Sequence, residues 1–489
     1  MASYAPTGAG QAQSQFTKAD PDFLRFSPLD RQSAPASGLV QLQGFEEIDF
    51  VPSRFNAHTE APDGTTIVWN SCSGTINRFG PEAKDQLASA LSQEGFRGPL
   101  RGFTKYLYDR GFLVKRGTDE FRRVQALIGQ QHYRTDVLEL FLLASEDCNF
   151  RCVYCYEDFP RGTMTPQVRD RVKKLVEQKI RHLQRLSISW FGGEPLYGFE
   201  AVADLAPFMT EIAARHGVAY DSNMTTNGYL LTEDVAAQLL SWRIDNFQIT
   251  LDGVGEVHDR KRPTRDGGSS FWRIFENLVA LQRRPDAFKV ALRVNFDREN
   301  RNHIQELLDL LNQQLGGDPR FGIALHPVGR WGGENDQDLD VCDHHEGEEV
   351  RRQLARSVDK DMRVQSLLSG AGLGKQVCYA ARPYNFVVGA DGQLMKCTIV
   401  LGKEDYNVVG RLGDDGSLLL DTDKMALWTE PAFERDRGCQ KCTLLPACQG
   451  MHCPLVRIQT NLAPCPGGKT QLRKELLLAG NRSGIEAEA

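Results

Sequence analysis

The sequence lacks any long hydrophobic run, because no apolar stretch reaches the roughly 18 residues that a membrane-spanning helix needs. Its first residues carry neither a basic nor an apolar segment, so a signal peptide is not expected. The sequence also lacks an excess of basic residues, since 58 basic and 64 acidic residues give a formal charge of −6. Without a basic excess, nucleic-acid binding is not expected. These absences predict a cytoplasmic protein that contacts neither membranes nor nucleic acid.

Cysteine is scarce at the beginning of the chain, where only Cys72 precedes Cys148. The 12 cysteines of a cytoplasmic chain are expected to bind metal rather than form disulfides. Cys148, Cys152 and Cys155 form a C-x3-C-x2-C run. Three thiolates are one fewer than a closed tetrahedral site needs, whereas a four-iron cluster held by three cysteines keeps one iron open for a ligand that is not protein. Structural zinc with a fourth ligand from elsewhere is the alternative.

Apolar strand patterns alternate with amphipathic helix patterns between residues 136 and 330, which predicts an α/β domain. Strands are expected at residues 138–143, 186–191, 219–225, 246–251, 289–295 and 322–326. Helices are expected at residues 166–183, 199–216, 232–240, 271–282 and 301–315. Six such units predict a parallel sheet, either an open barrel or a doubly wound sheet. In a barrel, the cysteines after the first strand would lie at the C-terminal strand ends, where chemistry takes place.

The flanking segments are predicted to form separate regions. Residues 1–36 are rich in Gln, Ser, Ala, Pro and Gly and are expected to form a disordered tail. Residues 37–130 predict strands at 39–50, 65–69 and 111–114 and helices at 82–92 and 103–110, a pattern that suits a small winged-helix-like unit. The remaining regions are a linker at 331–377 with one helix near 348–368, a cysteine-rich segment at 378–475 and a tail at 476–489.

The cysteine run, its position after the first strand and the alternating pattern resemble the radical S-adenosylmethionine (SAM) family. The resemblance implies a partial (β/α)6 TIM-like barrel in which Cys148, Cys152 and Cys155 hold a [4Fe–4S] cluster. It also implies that the amino and carboxylate groups of SAM bind the fourth iron. An electron donor such as flavodoxin or ferredoxin would supply the electron that cleaves SAM to a hydrogen-abstracting 5′-deoxyadenosyl radical.

Further residues resemble the SAM contacts of this family. Gly192-Gly193-Glu194-Pro195 is similar to its GGEP segment, where glycine lets the backbone approach the methionine amine closely. Residues 250–253 are similar to its SLDG segment, and residues 258–262 to its HDxxR segment, in which the guanidinium fork would pair with the SAM carboxylate. The implied SAM-binding residues are Tyr154, Gly192, Gly193, Glu194, Pro195, Asn227, Thr250, Asp252, Arg262 and Arg293.

Seven later cysteines resemble the C-terminal SPASM extension of the family, except that four residues rather than three separate Cys448 from Cys453. The resemblance implies two auxiliary [4Fe–4S] clusters, and therefore three clusters in all. One would be held completely by Cys439, Cys442, Cys448 and Cys465. The other would be held by Cys378, Cys397 and Cys453, with either Cys342 or a substrate atom as its fourth ligand.

Members with this extension mainly modify peptides, and the N-terminal unit resembles the leader-binding unit of peptide maturases. The expected activity is therefore formation of a thioether or carbon crosslink in a ribosomally made precursor peptide. The prediction of formylglycine formation, as in sulfatase maturases, is weakened because Thr398 follows Cys397 where those enzymes carry Asp. Peptide epimerisation stays open, and a zinc-binding structural protein is the alternative from another class.

Overall fold

Two small antiparallel sheets begin the described part of the chain. The computed structural model describes residues 48–159, 161–359, 362–364, 372–373, 377–463 and 465–482. The first sheet pairs β1 (Ile48–Pro52) with β5 (Phe96–Gly98) and β6 (Leu113–Lys115), and the second joins β2 (Asn56–Glu60), β3 (Thr66–Asn70) and β4 (Ile76–Phe79). The accompanying helices are α1 (Lys84–Ala90), α2 (Gly102–Asp109) and α3 (Glu120–His132). We refer to residues 48–132 as the N-terminal unit.

The N-terminal unit contains more structure than its sequence pattern predicted. The strand expected at 65–69 and the helices expected at 82–92 and 103–110 are present as β3, α1 and α2, while most of the strand expected at 39–50 lies outside the described residues. The prediction missed α3. That helix is capped by the Asp119 side chain, which accepts from the Arg122 amide, and it buries Val124 and Ile128 on one face. The capping residue Asp119 and the four-residue spacing of Val124 and Ile128 are both visible in the sequence.

A large mixed sheet forms the centre of the protein. Its parallel strands are β7 (Val137–Ser145), β8 (Arg185–Gly192), β9 (Ala219–Thr226), β10 (Ile244–Thr250), β11 (Lys289–Phe296), β12 (Phe321–Pro327) and the short β13 (Arg363–Val364). The six strands expected between residues 136 and 330 are confirmed. They neighbour one another in chain order. A doubly wound sheet, in which the order reverses part-way, is therefore the wrong alternative.

Helices connect these strands, and five of them lie where the apolar periodicity predicted: α4 (Pro166–Lys179), α5 (Phe199–His216), α6 (Glu233–Ser241), α8 (Phe271–Gln282) and α9 (Ile304–Leu315). The sequence did not predict α7 (Glu256–Lys261), in a segment expected to be a loop, and α10 (His344–Ala355) differs from its expected bounds. The hydroxyl groups of Thr165 and Thr232 cap α4 and α6, and Gly217 ends α5 in the left-handed conformation. The buried faces of strands and helices join one hydrophobic core. No helix within the described residues is long and apolar enough to cross a membrane.

The C-terminal segment extends the same sheet. Its strands are β14 (Asn385–Val388), β15 (Gln393–Met395), β16 (Val408–Leu412) and β17 (Leu418–Leu420). β14 pairs in parallel with β7, and the other three add antiparallel. Its helices are α11 (Thr422–Thr429), α12 (Arg437–Lys441), α13 (Leu445–Cys448), α14 (Pro454–Thr460) and α15 (Leu472–Arg482).

Two expectations for this half of the chain need correction. The helix expected near 348–368 begins earlier, at His344, where Asp343 and Glu346 form a reciprocal cap, and it ends at Ala355. Residues 363–364 pair with β12 instead. The tail expected at 476–489 is helical as far as Arg482. Leu476 is buried there, because it packs against Ile67 and Trp69 of the N-terminal unit in one apolar cluster.

A buried ion-pair group fixes α15 against α10. Glu475 is fully buried, and its Oε1 atom lies 2.5 Å from Arg351 Nη2 and 3.5 Å from Arg352 Nη1. Glu348 lies 2.9 Å from Arg351 Nη2 and shares the positive charge. Because both guanidinium groups are buried, removal of the Glu475 charge leaves the two cations with no fully buried counter-ion: Glu348 is partly buried, and Glu349, 3.0 Å from Arg352, is exposed.

We expect Glu475→Gln to lower the free energy of unfolding by about 3 kcal/mol, because it keeps the side-chain volume but removes a buried counter-charge. The matched control is Lys474→Gln, since Lys474 is exposed and lies 3.4 Å from Glu349. That change should cost less than about 1 kcal/mol. Urea denaturation of both variants measures the difference. Equal costs for the two variants would contradict this account of α15.

Candidate metal centres

The first cysteine run lies in the loop that follows β7 and is tied to a second loop. The Arg151 amide donates to the Pro263 carbonyl over 2.9 Å, and the Val153 amide donates to the Lys261 carbonyl over 3.0 Å. These bonds bring Arg262, at the end of α7, against the cysteines. Cys148 is buried, while Cys152 and Cys155 are partly buried.

The three thiols lie close enough to affect one another. Burial raises the pKa of Cys148, and the neighbouring Glu194 and Cys152 raise it further. Burial also raises the pKa of Cys155 to about 12, with Cys152 as the next cause. Burial raises the pKa of Cys152 as well, and the nearby Arg262 guanidinium partly offsets that rise. Ionisation of all three thiols therefore needs further positive charge, which a metal centre would supply.

Arg262 belongs to a buried polar network with Tyr154 and Asp252. Its Nη1 atom donates to the Tyr154 hydroxyl over 2.9 Å, and Asn295 Nδ2 donates to the same oxygen over 3.1 Å. The Tyr154 hydroxyl in turn bonds to the Asp252 carboxylate, which also accepts from the Asn295 amide over 3.0 Å. Tyr154, Asp252 and Arg262 are thus brought together, and Asn295 is a member that the sequence prediction missed. Its position two residues after Arg293 on β11 was the available signal.

Two side-chain donors beside the cysteines have no hydrogen-bond partner among the described residues: Arg262 Nε and Asn149 Nδ2. The orientation of Asn149 is determined, because Asn227 Oδ1 accepts from the Tyr229 amide and Asn227 Nδ2 donates to Asn149 Oδ1 over 2.7 Å. Asn227 Nδ2 also lies 3.9 Å from Cys148 Sγ. A free guanidinium edge and a free amide beside three thiols fit a carboxylate-bearing ligand on an iron–sulfur cluster.

The glycine turn after β8 packs directly on the cysteine loop. Gly192 has a φ of 119°, and a Cβ atom there would lie 2.2 Å from the Ser145 carbonyl oxygen. A Cβ atom on Gly193 would lie 2.5 Å from the Asp147 carbonyl oxygen. These distances exclude a side chain at both positions, because the turn packs on the backbone of the cysteine loop. The expected approach to the methionine amine of SAM stays a prediction.

Glu194, the next residue of this turn, holds neighbouring strand ends together rather than pointing freely into the site. The Glu194 carboxylate is fully buried and accepts from the Asn227 amide over 2.7 Å, the Thr226 hydroxyl over 2.7 Å and the Leu196 amide over 3.0 Å. Pro195 is buried and begins a short 3-10 turn. Glu194 therefore joins the ends of β8 and β9.

The two remaining predicted SAM contacts lie side by side on neighbouring strands. Thr250 is buried and ends β10, where it pairs in register with Arg293 of β11. The Arg293 Nε atom donates to Asn295 Oδ1 over 2.8 Å. Arg293 thus supports the Tyr154 network through Asn295.

The later cysteines form two groups. Burial raises the pKa of Cys439 to about 12, and among its other causes are Cys448, Cys465 and Cys442. Burial raises the pKa of Cys397 to about 12, and Cys378 and Cys453 contribute to that shift. The groups coincide with the two auxiliary ligand sets expected from the sequence. Cys342 is buried beside Glu346 and Arg301, after β12.

Within the described ranges, no three Cys, His, Asp or Glu side chains converge in the geometry of a single metal ion. A structural zinc ion needs four ligands at one centre. The cysteines of a four-iron cluster bind different iron atoms and need not converge on one point.

The sequence model of the Radical SAM superfamily matches residues 142–311. These residues form a radical SAM domain. The matched span runs from β7 into α9 and contains the first three cysteines, the glycine turn and Arg262.

Curated relatives cover parts of the chain. The cysteine-type anaerobic sulfatase-maturating enzyme of Clostridium novyi (strain NT) is 27% identical over 194 residues, which are 38% of this chain and 50% of the relative. A GTP 3′,8-cyclase of Picosynechococcus sp. is 32% identical over 209 residues, which are 40% of this chain and 57% of the relative. The chain thus spans about half the length of these relatives.

A solved structure of anSMEcpe with bound AdoMet and Cp18Cys peptide shares the fold. It superposes with a TM-score of 0.55 at 18% sequence identity, over 72% of this chain and 100% of that chain.

We expect Gly193→Ala to prevent assembly of the first cluster, because the new Cβ atom would displace the backbone next to Cys148. The iron content should fall by about four atoms per chain after anaerobic reconstitution. The control is Gly129→Ala in α3, where a Cβ atom meets nothing within 4 Å. Iron content equal to that of the control would contradict the role of this close approach.

We expect Arg262→Lys to weaken SAM binding about tenfold or more, because lysine keeps the charge but lacks the planar fork and its Nε donor. Arg260→Lys is the control, since Arg260 is an exposed arginine of the same short helix. Equilibrium dialysis of SAM against the reconstituted variants measures the change. Wild-type affinity in Arg262→Lys would exclude the proposed carboxylate contact.

Proposed function

We propose that this chain is a radical SAM peptide maturase that forms a thioether or carbon crosslink in a ribosomally made precursor peptide. The observation that carries the proposal is the group of three thiols beside Arg262 Nε and Asn149 Nδ2, two donors that have no partner among the described residues. When bound, the cluster and SAM supply an electron and an adenosyl radical that abstracts hydrogen.

Each residue of the first site has a role that its contacts support. Cys148, Cys152 and Cys155 bind the cluster. The free Nε edge of Arg262 binds the SAM carboxylate, while its Nη1 bond to Tyr154 fixes the direction of the fork. The backbone of the glycine turn meets the methionine amine, because no side chain separates it from the cysteine loop.

The remaining residues of the site either contact the adenosine part of SAM or hold the contacting residues in place. Thr250 and Asp252 bind the ribose at the end of β10, and the Tyr154 ring contacts the adenine. Glu194 and Asn227 hold the strand ends in register. Arg293 positions Asn295, which holds Tyr154.

The later cysteines are proposed to hold two auxiliary clusters in a SPASM domain. Cys439, Cys442, Cys448 and Cys465 complete one cluster. Cys378, Cys397 and Cys453 hold the other with an open iron for a substrate atom, since the charged groups that act on the Cys342 thiol are Glu346, Arg301, Arg298 and Asp297 rather than these three cysteines. The Thr398 hydroxyl lies 2.7 Å from the Tyr379 hydroxyl. Because this pair offers no carboxylate base, formylglycine formation is a weaker alternative than crosslinking.

A peptide substrate is supported by two comparisons and by the N-terminal unit. The Clostridium novyi relative is named a sulfatase-maturating enzyme, and the solved anSMEcpe structure holds a peptide beside AdoMet. We interpret the central strands as a partial barrel and the N-terminal unit as a winged-helix-like peptide-recognition unit. The electron would come from flavodoxin or ferredoxin in the cytoplasm.

The experiment that tests the proposal is anaerobic purification with iron, zinc and SAM-cleavage measurements. We expect about twelve irons per chain, and release of 5′-deoxyadenosine when dithionite and SAM are added. The variant in which Cys148, Cys152 and Cys155 are all Ala should retain about eight irons and release none. Colourless protein that carries zinc would refute the proposal.

Mass spectrometry tests the substrate. Candidate peptides encoded beside the gene, co-expressed with the chain, should lose two hydrogens per crosslink. An unchanged mass with an inverted residue would favour epimerisation, and a formylglycine residue would favour the sulfatase-maturase alternative.

A further inference from the structure

Trp69 on β3 is fully buried, and its Nε1 atom has no hydrogen-bond partner among the described residues. Indole nitrogen can only donate a hydrogen bond. A buried donor without an acceptor is costly, and such groups are rare in native proteins. An acceptor supplied by a bound group would explain why this one is kept.

The face of the sheet that carries Trp69 packs against the four-cysteine segment. Trp69 pairs in register with Ala57 and Ile76. One apolar cluster joins this face to the C-terminal region. Its members are Ala57, Ala61, Ile67, Trp69, Ile76, Cys442, Leu444, Ala447, Cys448, Leu472, Leu476, Leu477 and Ala479. The side-chain acceptors within that cluster are the sulfur atoms of Cys442 and Cys448.

Hydrogen bonds hold the two segments side by side. The Ser71 hydroxyl, two residues after Trp69, donates to the Thr443 carbonyl, and Arg54 Nη2 donates to the Gln440 carbonyl over 2.7 Å. Phe55 and Cys439 belong to a second shared apolar cluster. The strands of the N-terminal unit therefore line the segment between Cys439 and Cys448.

We propose that the N-terminal unit forms one wall of the four-cysteine site and that Trp69 donates its indole hydrogen to a sulfur atom of the cluster held there. The inference rests on the proposed function, because it requires the auxiliary cluster. A donor to sulfur stabilises the more negative, reduced state of a cluster and raises its reduction potential. Trp69 is thus a positioning and tuning residue, and the N-terminal unit has a role in the electron chemistry besides peptide recognition.

Trp69→Phe tests this, because phenylalanine keeps the aromatic packing and removes the N–H donor. The titration uses holoprotein in which Cys148, Cys152 and Cys155 are Ala, so that only the auxiliary clusters give EPR signals. One auxiliary cluster should shift to lower potential, with its reduced-to-oxidised ratio at a fixed applied potential falling about fivefold. The other cluster should not shift.

The matched control is Trp428→Phe. Trp428 is equally buried, but its Nε1 atom donates to the Tyr406 carbonyl over 2.7 Å. That variant should lose thermal stability in the apo and holo forms alike and leave both potentials unchanged. Trp69→Phe should lower the stability of the apoprotein less than Trp428→Phe does, because both variants lose the volume of a buried indole but only Trp428 loses a hydrogen bond.

A second replacement keeps the test decisive if Trp69→Phe loses the cluster. β-(3-Benzothienyl)alanine at position 69 has the shape of tryptophan without the N–H group, and it should give the same shift with full iron content. Full iron content and unchanged potentials in this protein would overturn the inference but leave the proposed function intact. Zinc in place of iron in the wild-type protein would overturn both.

Discussion

The burial of cysteine thiols is the constraint on which the rest of this structure depends. Burial raises the pKa of the thiols at Cys148, Cys155, Cys397 and Cys439, so each would stay protonated without added positive charge. A buried thiolate needs a cation and hydrogen-bond donors to offset its lost hydration. Those donors are present at the first site as Arg262 and the amides of Asn149 and Asn227. We propose that the same requirement explains why the Trp69 indole N–H, beside the four-cysteine segment, has no partner among the described residues.

One sheet satisfies this requirement for segments that are distant in sequence. The carboxyl ends of β7 to β11 bring the cysteine loop, the glycine turn, Asn227, Thr250 and Asn295 to a common edge. β14 then pairs with β7, so the cysteine-rich segment continues the same sheet. α15 and the Cys439–Cys448 segment pack on β3 of the N-terminal unit, so this group of cysteines lies between the two ends of the described chain.

Much of the radical SAM domain could be predicted because each of its elements carries a local signal. Apolar strands such as β8 and amphipathic helices such as α5 show their periods directly, and the spacing of C-x3-C-x2-C indicates a candidate ligand set. The remaining features depend on tertiary contacts. The position of Asn295, two residues after Arg293, places it on the same strand, but nothing near Asn149 or Asn295 in sequence identifies Asn227 and Tyr154 as their partners. The pairing of β14 with β7 joins residues about 240 positions apart, and Glu194 ties strand ends together although its motif suggested a direct contact with SAM.

The central claim is that the first cluster has one iron without a protein ligand, and that SAM binds it. Mössbauer spectroscopy of protein reconstituted with ⁵⁷Fe, with and without SAM, tests this claim most directly. The account predicts that SAM changes the signal of one iron in four of the first cluster and leaves the complete cluster of Cys439, Cys442, Cys448 and Cys465 unchanged. Identical spectra with and without SAM, or four equivalent irons in the first cluster, would contradict it.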